Sequence, residues 1–390
     1  MLTILGGTYF EKCIDPDYHE LVGSGLRAAT ALSDNVKDIH FVSCISKDNL
    51  ENAKSICNTF TIKASFQEID ETVTFFYDHP LSHPEFYPNV INSKIDLPPV
   101  KAENILYYGL IEAKASVHGS YVVYDPQNEI PYRNTGSTAE HLALILNKRE
   151  AQLLSGCQED EDLESIGKSL LSSEGAEVIV IKNGSNGALV VENKGTTKIP
   201  VFETYSVWPI GSGDIFSAVF AWKWMLEKLP AAEAALFSSR FTAEYCESKQ
   251  LPLLASPRNL NPLPGHNEPR KIYLAGPFFN ISQRWLINEL RNLLFEFGNI
   301  VFSPFHDVKQ GSSKSIADQD LHALRESNLI LAIVSGLDAG TLFEIGYARA
   351  LNKKVIVFAE NVSDEDLTML AGSDCEICND FTTAVYKASW

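Results

Sequence analysis

The chain has 390 residues, of which 45% are hydrophobic and 21% are charged, and its formal net charge is −18. This composition is ordinary for a globular protein and excludes disordered, collagen-like and disulfide-scaffold classes. Sequence-independent binding to nucleic acid or to an anionic membrane requires basic patches, and the sequence has no run rich in lysine or arginine. We therefore expect small-molecule ligands, with no nucleic-acid or membrane partner.

Further features bear on the compartment and on metal binding. The seven cysteines are odd in number and thinly spread, as expected for reduced thiols. No apolar run approaches the roughly 18 residues of a membrane span, and the N-terminus lacks the basic region and long apolar stretch of a signal peptide. We predict a cytoplasmic protein. Cys375 and Cys378 form a single C-x-x-C, and without a second pair or histidines at ligand spacing we expect no zinc there.

Before residue 250, short β-branched or aromatic runs alternate with segments of helical periodicity. Strands are predicted at 2–5, 39–43, 104–108, 121–124 and 178–181, and helices at 19–32, 138–147, 163–171 and 214–229. Near-continuous apolar strands separated by helices are typical of a parallel sheet that is covered on both faces.

Residues 251–270 contain five of the 18 prolines and are predicted to be a semi-rigid linker, because proline interrupts helices and central strands. The linker separates a first domain, 1–250, from a second domain, 271–390. In the second domain the predicted strands and helices alternate at 272–275, 283–297, 300–302, 316–326, 329–334, 341–351 and 354–358. The predicted fold class is α/β with two domains, each a mainly parallel sheet with helices on both faces, the second being flavodoxin- or Rossmann-like.

A glycine turn precedes the last helix of the first domain. Gly211 and Gly213 lie immediately before this helix, so their N–H groups and the helix dipole can favour an anion. Asp214 would then take a proton from an attacking hydroxyl. The same string is equally compatible with Asp214 as an ordinary helix N-cap after a tight turn.

Other motifs accompany this turn: Asn147-x-x-Glu150, Lys182-Asn-Gly184-x-x-Gly and Tyr124-Asp-Pro-Gln127. In this order and spacing, residues 1–250 resemble the ribokinase-like, or PfkB carbohydrate kinase, family. The resemblance implies ATP-dependent phosphorylation of a sugar or nucleoside hydroxyl with magnesium. It makes Asp214 the catalytic base and Gly211, Ser212 and Gly213 the anion hole. It has Asn147 and Glu150 organise magnesium and phosphate, with Glu150 acting on magnesium indirectly, and adds Lys182 and Gly184 to the residues that bind ATP and phosphate.

The acceptor end departs from the family pattern. Val207-Trp-Pro-Ile210 stands where the family usually has Asp-Thr, and Glu11 stands where its substrate-binding Asp would be. The string Val22-Gly-Ser-Gly-Leu-Arg27 replaces the second substrate motif, with Arg27 in place of asparagine. The segment between Glu11 and Gly23 is expected to be too short for the strands of a substrate lid. Whether the kinase is active, and on which acceptor, stays open.

In the second domain, Asp338-Ala-Gly340-Thr341-Leu-Phe-Glu344 follows a buried strand, at the sheet edge where ligands bind. The alternative is a capping box with Thr341 as N-cap and Glu344 at N3. Asp320 lies on the preceding helix, whose start faces the same edge. Converging carboxylates cost free energy unless they have a function, and cleavage of an N-glycosidic bond through an oxocarbenium-like cation provides one.

A second resemblance lies in three strings: Ile272-Tyr-Leu-Ala-Gly-Pro-Phe-Phe, Gln319-Asp-Leu and D-x-G-T-x-x-E-x-G-x-A, which begins at Asp338. Through these strings the second domain resembles the nucleoside 2-deoxyribosyltransferase family. The resemblance makes Glu344 the nucleophile, Asp320 the acid/base residue and Asp338 a ligand of the sugar hydroxyls. It implies no cofactor, a homo-oligomer and an aromatic C-terminus, Trp390, near the pocket. A carboxylate at 338 would repel a 5′-phosphate, which favours a nucleoside. The remaining pocket residues are Tyr273, Gly276, Phe278, Gly340 and Thr341.

The function predicted is N-glycosidic bond cleavage or base exchange on a (deoxy)nucleoside through a covalent Glu344 intermediate, coupled to a PfkB-type sugar or nucleoside kinase. Nucleoside salvage would combine the two activities. The alternative is a nucleotide or cofactor N-glycoside hydrolase with a degenerate kinase-like binding or sensor domain. A non-catalytic assembly protein is disfavoured by the Glu344, Asp320 and Asp338 set.

Overall fold

The computed structural model describes residues 1–89, 94–127, 129–157, 161–263, 265, 268–309 and 311–390. Contacts between Cα atoms divide the chain into two units, Met1–Leu263 and Pro264–Trp390. The division falls inside the predicted linker 251–270, of which residues 264, 266 and 267 lie outside the described residues.

The linker residues before this division pack on the first unit. The N–H of Leu253 donates to the carbonyl of Ala31 at 3.0 Å, and the Leu253 side chain is buried. The N–H of Leu263 donates to the carbonyl of Val201 at 2.9 Å. Apolar side chains in this proline-rich segment therefore tie it to the first unit's core.

The first unit contains these strands: β1 (Leu2–Leu5), β2 (Phe10–Cys13), β3 (Tyr18–Leu21), β4 (Ile39–Ser46), β5 (Lys63–Ile69), β6 (Thr74–Tyr77), β7 (Glu85–Tyr87), β8 (Ile95–Asp96), β9 (Val100–Lys101), β10 (Asn104–Tyr108), β11 (Ala113–Lys114), β12 (Val117–Asp125), β13 (Thr138–Asn147), β14 (Val178–Lys182), β15 (Ala188–Glu192) and β16 (Gly195–Ile199). Its helices are α1 (Gly23–Leu32), α2 (Leu50–Thr59), α3 (Lys148–Ser155), α4 (Leu163–Glu174), α5 (Ser212–Ala221) and α6 (Ala231–Ser248).

The main sheet has the strand order β16-β15-β14-β13-β12-β10-β1-β4-β5, with β9 beside β12. Its neighbours are parallel from β14 to β5, and the β14–β15 and β15–β16 pairs are antiparallel. Successive residues of β12 enter different cores: Val123 packs with α1 and α5, while Val122 and Tyr124 pack with α3 and α4. This alternation places helices on both faces of the sheet, as predicted.

A separate four-stranded sheet has the order β3-β2-β6-β7. Glu11 on β2 pairs with Glu20 on β3 and with Phe75 on β6. The expectation that the segment after Glu11 is too short for lid strands is therefore wrong. The hairpin β2–β3 fits into this short segment, and the other two strands come from residues more than 50 positions further along the chain.

Three predicted helices differ from the structure. The segment 138–147 is strand β13, between β12 and β14, because its buried run Leu142–Leu146 suits a strand that is covered on both faces. The predicted helix 19–32 begins only at Gly23, and β3 occupies its first residues. The predicted helix 214–229 begins earlier, at Ser212, and continues beyond α5 as a π-helical turn, Trp222–Leu226.

The second unit contains strands β17 (Lys271–Ala275), β18 (Ile300–Phe302), β19 (Leu329–Ile333), β20 (Lys354–Phe358) and β21 (Glu376–Cys378). Its helices are α7 (Ile281–Glu296), α8 (Pro304–Asp307), α9 (Ser313–Glu326), α10 (Ala339–Ala350), α11 (Asp364–Gly372) and α12 (Phe381–Ser389). The sheet is parallel throughout, with the order β18-β17-β19-β20-β21. This is the predicted doubly wound topology, and its switch point lies between β17 and β19. Within the described ranges, no helix is both long enough and apolar enough to cross a lipid bilayer.

Candidate active sites

The switch point of the second unit brings together β17 and the helix that follows β19. The hydroxyl of Tyr273, on β17, donates a hydrogen bond of 2.6 Å to Oε1 of Glu344, on α10. Tyr273 is completely buried, and its ring stacks on Phe302 of β18 with centroids 5.5 Å apart. A rigid sheet residue thus holds the carboxylate in one orientation.

Asp338, rather than Thr341, is the N-cap of α10. Its Oδ2 accepts hydrogen bonds from the Thr341 N–H at 2.8 Å and from the Thr341 hydroxyl at 3.0 Å. The capping-box alternative is therefore wrong, since Thr341 occupies N3 and Glu344 lies in the second turn. A Cβ on Gly340 would lie 3.1 Å from Oδ2 of Asp338, which explains a small residue there. Oδ1 of Asp338 has no hydrogen bond among the described residues.

The electrostatics of Glu344 depend on two further carboxylates. Burial raises the pKa of Glu344 to about 7, the Tyr273 hydrogen bond opposes this rise, and the charges of Asp320 and Asp338 add to it. Burial also raises the pKa of Asp320, whose Oδ1 is buried without a partner among the described residues. Asp320 and Asp338 are thus both close enough to act on Glu344, although the three carboxylates come from two helices and a loop.

Two other predicted pocket residues have packing roles. A Cβ on Gly276 would approach side-chain atoms of Ile287 and Ile333 to 3.1 Å, so this glycine lets α7 and β19 pack closely. Phe278 is half-buried and lies 5.4 Å, between ring centroids, from both Phe279 and Phe305. Phe305 did not enter the predicted site, and only its place directly after β18 could have indicated it.

Trp390 does not lie near this pocket, contrary to the expectation. Its ring packs on Tyr386 at 6.1 Å, and Tyr386 in turn packs on Phe297 at the end of α7. The neighbouring Ser389 accepts a hydrogen bond from Asn299, directly before β18. Because α12 runs antiparallel to the strands, its end lies at their amino edge, opposite the carboxyl edge that carries the site.

The C-x-x-C cysteines lie at the last strand of the second unit. Both Cys375 and Cys378 are buried, and Cys378 ends β21. The Cys375 sulfur lies 3.7 Å from the hydroxyl of Ser373. Across the described part of the chain, no three histidine, cysteine, aspartate or glutamate residues group as a metal site.

The first unit has a cavity of about 670 Å³ between the main sheet and the small sheet. Strand β6 contributes Phe75 and Tyr77 to its wall, β7 contributes Phe86, and the glycine turn closes the other side. The cavity is lined by Tyr9, Glu11, Ser24, Arg27, Phe75, Tyr77, His83, Pro84, Phe86, Gly109, Ile111, Gln127, Arg149, Gly211, Gly213 and Asp214.

Arg27 joins the two predicted carboxylates of this cavity. Its Nη1 donates to Oδ2 of Asp214 and its Nη2 donates to Oε2 of Glu11, each at 2.5 Å. The three side chains are buried, with Arg27 only 1% exposed. Gln127 donates a further hydrogen bond of 2.6 Å to Oδ1 of Asp214. The sequence analysis noted Arg27 only because it replaces an asparagine of the family motif. The signal that could have identified it is that it is the one charged residue among the small and apolar residues of α1.

The glycine turn itself is shaped by Arg27. Gly211 is the N-cap of α5 with φ +79°, and Asp214 lies at N3, so the alternative in which Asp214 is the N-cap is wrong. A Cβ on Gly211 would lie 2.2 Å from Cζ and Nε of Arg27. The guanidinium therefore lies against the Cα of Gly211, and only glycine fits both the backbone angle and this approach.

Lys182 lies beside the other glycine of the turn. A Cβ on Gly213 would be 3.2 Å from Nζ of Lys182, which also pairs with Asp125 at 3.1 Å. Asp125 is buried, accepts a hydrogen bond of 2.6 Å from Ser217, and has a pKa raised by burial. A helix start with a neighbouring lysine is an arrangement that fits a phosphate.

The Asn147 and Glu150 pair forms a capping box at the start of α3. Oδ1 of Asn147 accepts from the Glu150 N–H at 2.8 Å, and the Glu150 carboxylate accepts from the Asn147 N–H at 2.7 Å. Burial, with the charge of Asp125 second, raises the pKa of Glu150 to about 7. Gly184, with φ +53° in the loop after β14, has open space where a side chain would be.

Comparison with known families locates both predicted domains. A family model described as pfkB family carbohydrate kinase matches residues 108–252, and a model described as nucleoside 2-deoxyribosyltransferase matches residues 272–379. The chain thus carries a PfkB carbohydrate kinase domain followed by a nucleoside 2-deoxyribosyltransferase domain, as the sequence motifs predicted. The kinase match does not include Glu11 or Arg27. A search of curated proteins finds no match.

Among solved structures, the chain is similar to a fructokinase from Vibrio cholerae O395 whose structure has fructose, ADP and calcium ion bound. The two are 14% identical, the match covers 64% of this chain and 94% of that one, and the TM-score is 0.49. It is similar to a ribokinase from Thermotoga maritima at 15% identity, covering 63% and 92%, with a TM-score of 0.43. A nucleoside kinase from Methanocaldococcus jannaschii matches at 13% identity, covering 65% and 95%, with a TM-score of 0.45. At such identities these likenesses do not extend to activity.

Proposed function

We propose that the second unit breaks the N-glycosidic bond of a nucleoside and transfers the sugar to a second base or to water, with Glu344 as the covalent nucleophile. The observation that carries this proposal is the partly buried hydrogen bond of 2.6 Å from Tyr273 to Glu344. It fixes one carboxylate at the switch point, where the charges of Asp320 and Asp338 also act on it.

The reaction needs two steps. First, an oxygen of Glu344 bonds to C1′ while the C1′–N bond breaks, and the leaving base takes a proton from Asp320. Then a nitrogen of the incoming base, or a water oxygen, bonds to C1′ as the ester bond breaks, and a proton returns to Asp320. A raised pKa suits Asp320 for carrying that proton.

A nucleoside is the preferred substrate because of Asp338. Its Oδ2 caps α10, which holds the side chain at the helix start and leaves Oδ1 for a ligand. A fixed carboxylate accepts hydrogen bonds from sugar hydroxyls and repels a 5′-phosphate. The alternative, hydrolysis of a nucleotide or cofactor N-glycoside, predicts the opposite preference between a nucleoside and its 5′-phosphate.

The test is incubation of the full chain with a panel of nucleosides and their 5′-phosphates, with and without a second base, followed by mass analysis of products. Rapid quenching and intact-protein mass analysis would detect a glycosyl group on the wild type and none on Glu344→Gln. Asp318→Asn serves as the control, because Asp318 is an exposed neighbour of Asp320 on α9. Release of base without an adduct at Glu344 would contradict the covalent mechanism.

For the first unit, we propose a PfkB-type site that takes a sugar or nucleoside in the cavity and ATP at the glycine turn. Gly211–Gly213, Lys182 and Gly184 would hold the phosphates, and the position of Lys182 beside Gly213 supports this. Magnesium beside nucleotide phosphates needs only one or two protein carboxylates, so Glu150, oriented by Asn147, could hold it through water. Bound ATP with magnesium would supply the phosphoryl group, and Asp214 would accept the acceptor's proton.

The second candidate for the first unit is a binding or sensor domain without kinase activity. The ion pair between Arg27 and Asp214 favours it, because the proposed base is already engaged. Calorimetric titration with a non-hydrolysable ATP analogue tests nucleotide binding, and an ADP-release assay over sugars and nucleosides tests turnover. Binding without turnover supports the second candidate, and ADP release that depends on an acceptor supports the kinase.

We further propose a cytoplasmic homo-oligomer that acts in nucleoside salvage. Exposed apolar side chains on α7 and α10 support self-association, including Trp285 at 55% and Phe343 at 61% exposure. Phe343 is adjacent to Glu344, so a second copy covering this face could complete the site. Light scattering after gel filtration tests the assembly, and Phe343→Glu should reduce its mass if α10 lies in the interface.

A further inference from the structure

We propose that Arg27 is a lock on phosphoryl transfer in the first unit, so that the cavity binds a sugar or nucleoside without phosphorylating it. The inference rests on the ligand site proposed above for this unit and on its second candidate, the domain without kinase activity, and it assigns to Arg27 the control of the site's chemistry. Arg27 is a positioning residue in this proposal, because it acts through Asp214 and Gly211.

The first step of the argument is the strength of the ion-pair network. Arg27 donates to Glu11 and Asp214 at 2.5 Å, and the exposed fractions of the three residues are 1%, 5% and 7%. Water screens such a network very little. Separating Arg27 from either carboxylate would leave an uncompensated buried charge, which is strongly unfavourable. The guanidinium therefore stays on Asp214.

The second step concerns the proposed base. Transfer of a phosphoryl group to a hydroxyl breaks the donor P–O bond, forms a bond to the acceptor oxygen and releases one proton, which Asp214 must take up. Both oxygens of Asp214 already accept hydrogen bonds, Oδ2 from Arg27 and Oδ1 from Gln127. A proton on Asp214 would also cancel its ion pair with Arg27. The residue is thus unsuited to the role of base while Arg27 is in place.

The third step concerns the turn that would bind the transferred group. The guanidinium lies against the Cα of Gly211, at a distance where even a methyl group would not fit. It therefore lies beside the helix start at which an anion would bind. The same side chain thus pairs with the proposed base and packs against the glycine turn.

An arginine in such a place could instead stabilise the transition state of phosphoryl transfer. Such a residue must direct its donor fork at the transferred group. Here Nη1 and Nη2 both donate to carboxylates, and Nε is buried close to Gly211 with no hydrogen-bond partner in the part of the chain that the structure describes. The observed fork is directed at protein carboxylates, which favours the lock.

The cavity still has the features of a ligand site. The aromatic rings of Phe75 and Phe86 lie 5.8 Å apart on its wall, and Gln127 and Ser24 add polar groups. Glu11, Arg27 and Asp214 together carry a formal charge of −1, one cation against two carboxylates. Arg149 also lines the cavity but pairs with Glu129 at 3.4 Å, so the charge of these three residues favours an uncharged sugar or nucleoside over its phosphate ester.

The experiment compares full-length wild type with Arg27→Asn, which removes the charge, and Arg27→Lys, which retains it. Arg258→Asn is the matched control, because Arg258 also pairs with two carboxylates, Glu244 and Glu247, outside the cavity. If Arg27→Asn does not fold, the double variant Glu11→Gln/Arg27→Asn keeps the site's formal charge at −1. Calorimetry measures binding of ribose, nucleosides and a non-hydrolysable ATP analogue, and ADP release measures turnover.

We expect the wild type, Arg27→Lys and Arg258→Asn to bind a sugar or nucleoside with ADP release at background. Arg27→Asn or the double variant should release ADP at least tenfold faster than the wild type, and this release should require the acceptor. Wild-type turnover that falls in Arg27→Asn would overturn the lock and make Arg27 a catalytic arginine. Equal rates would also overturn it. No binding of any ligand by wild type or variants would contradict the proposed ligand site itself, and the lock with it.

Discussion

The hydroxyl of Tyr273 lies 2.6 Å from Oε1 of Glu344, and this contact joins the first strand of the second unit to the helix after its third strand. Tyr273 is completely buried and Glu344 is half-buried, and the hydrogen bond stabilises the ionised form of Glu344. It opposes the burial that raises the pKa of this carboxylate. The contact therefore determines the pH range in which Glu344 can act as a nucleophile.

Tyr273→Phe should move the acidic limb of the kcat/KM profile to higher pH. The limb of the wild type is expected near the Glu344 pKa of about 7, because the nucleophile must be ionised. A hydrogen bond to a charged group contributes about 1.5–3 kcal/mol, which corresponds to about one to two pH units. Base release measured from pH 5 to pH 9 checks this. Tyr347→Phe is the control, because Tyr347 lies on the same helix as Glu344 but accepts its hydrogen bond from Arg325. An equal shift of the acidic limb in this control would contradict the role of Tyr273.

Glu344→Gln should abolish base release or exchange, by at least about a thousandfold, while the fold survives. The cap of α10 is Asp338, so no capping interaction is lost. Since the pKa of Glu344 rises from its ordinary 4.5 to about 7 on folding, the folded state binds more protons between these values. Wild-type stability should therefore fall as pH rises through this window, and the variant should lack that loss. Thermal melting at pH 4.5 and pH 8 checks the stability, and wild-type turnover by a folded variant would exclude Glu344 as nucleophile.

Asp338→Asn and Asp338→Ala should separate the two roles of Asp338. Asparagine is also a good N-cap, so Asp338→Asn should keep the stability of α10 while its lost charge weakens the contact to sugar hydroxyls. Asp338→Ala should in addition lower the free energy of unfolding by about 0.5–2 kcal/mol. Denaturant titration and KM for a confirmed nucleoside give the two readouts. A KM for Asp338→Asn equal to that of the wild type would leave Asp338 as a helix cap only.

Gly211→Ala should destabilise the first unit more than Gly184→Ala does. Both glycines have a positive φ, and the strain of an alanine there costs about 1–3 kcal/mol. A Cβ at 184 meets open space, whereas one at 211 would displace Arg27 from its carboxylates. Disrupting a buried ion pair adds about 3–5 kcal/mol. Denaturant unfolding of both variants checks the difference, and equal losses would mean that Arg27 adjusts without leaving Glu11 and Asp214.

Much of the fold could be read from local patterns. Strands that are buried on both faces appear as apolar runs, and these runs predicted the mainly parallel sheets. The motifs on either side of the proline-rich linker predicted the order of the two domains. The run Leu142–Leu146 was the failure, because a short apolar run serves a buried strand or a helix equally well. Only its pairing with β12 on one side and β14 on the other makes it a central strand.

Of the candidate sites, the sequence by itself determined the carboxylates and the glycine turn, since they lie in short strings at fixed spacing. Only the tertiary structure decided which groups act on them. Arg27 and Asp214 are 187 positions apart, and Tyr273 and Glu344 are 71 apart. Contacts of this kind arise when strands and helices pack and leave no periodic or local signal. The physical reason is that a carboxylate's chemistry depends on the charges and donors around it, and in a folded chain these come from distant segments.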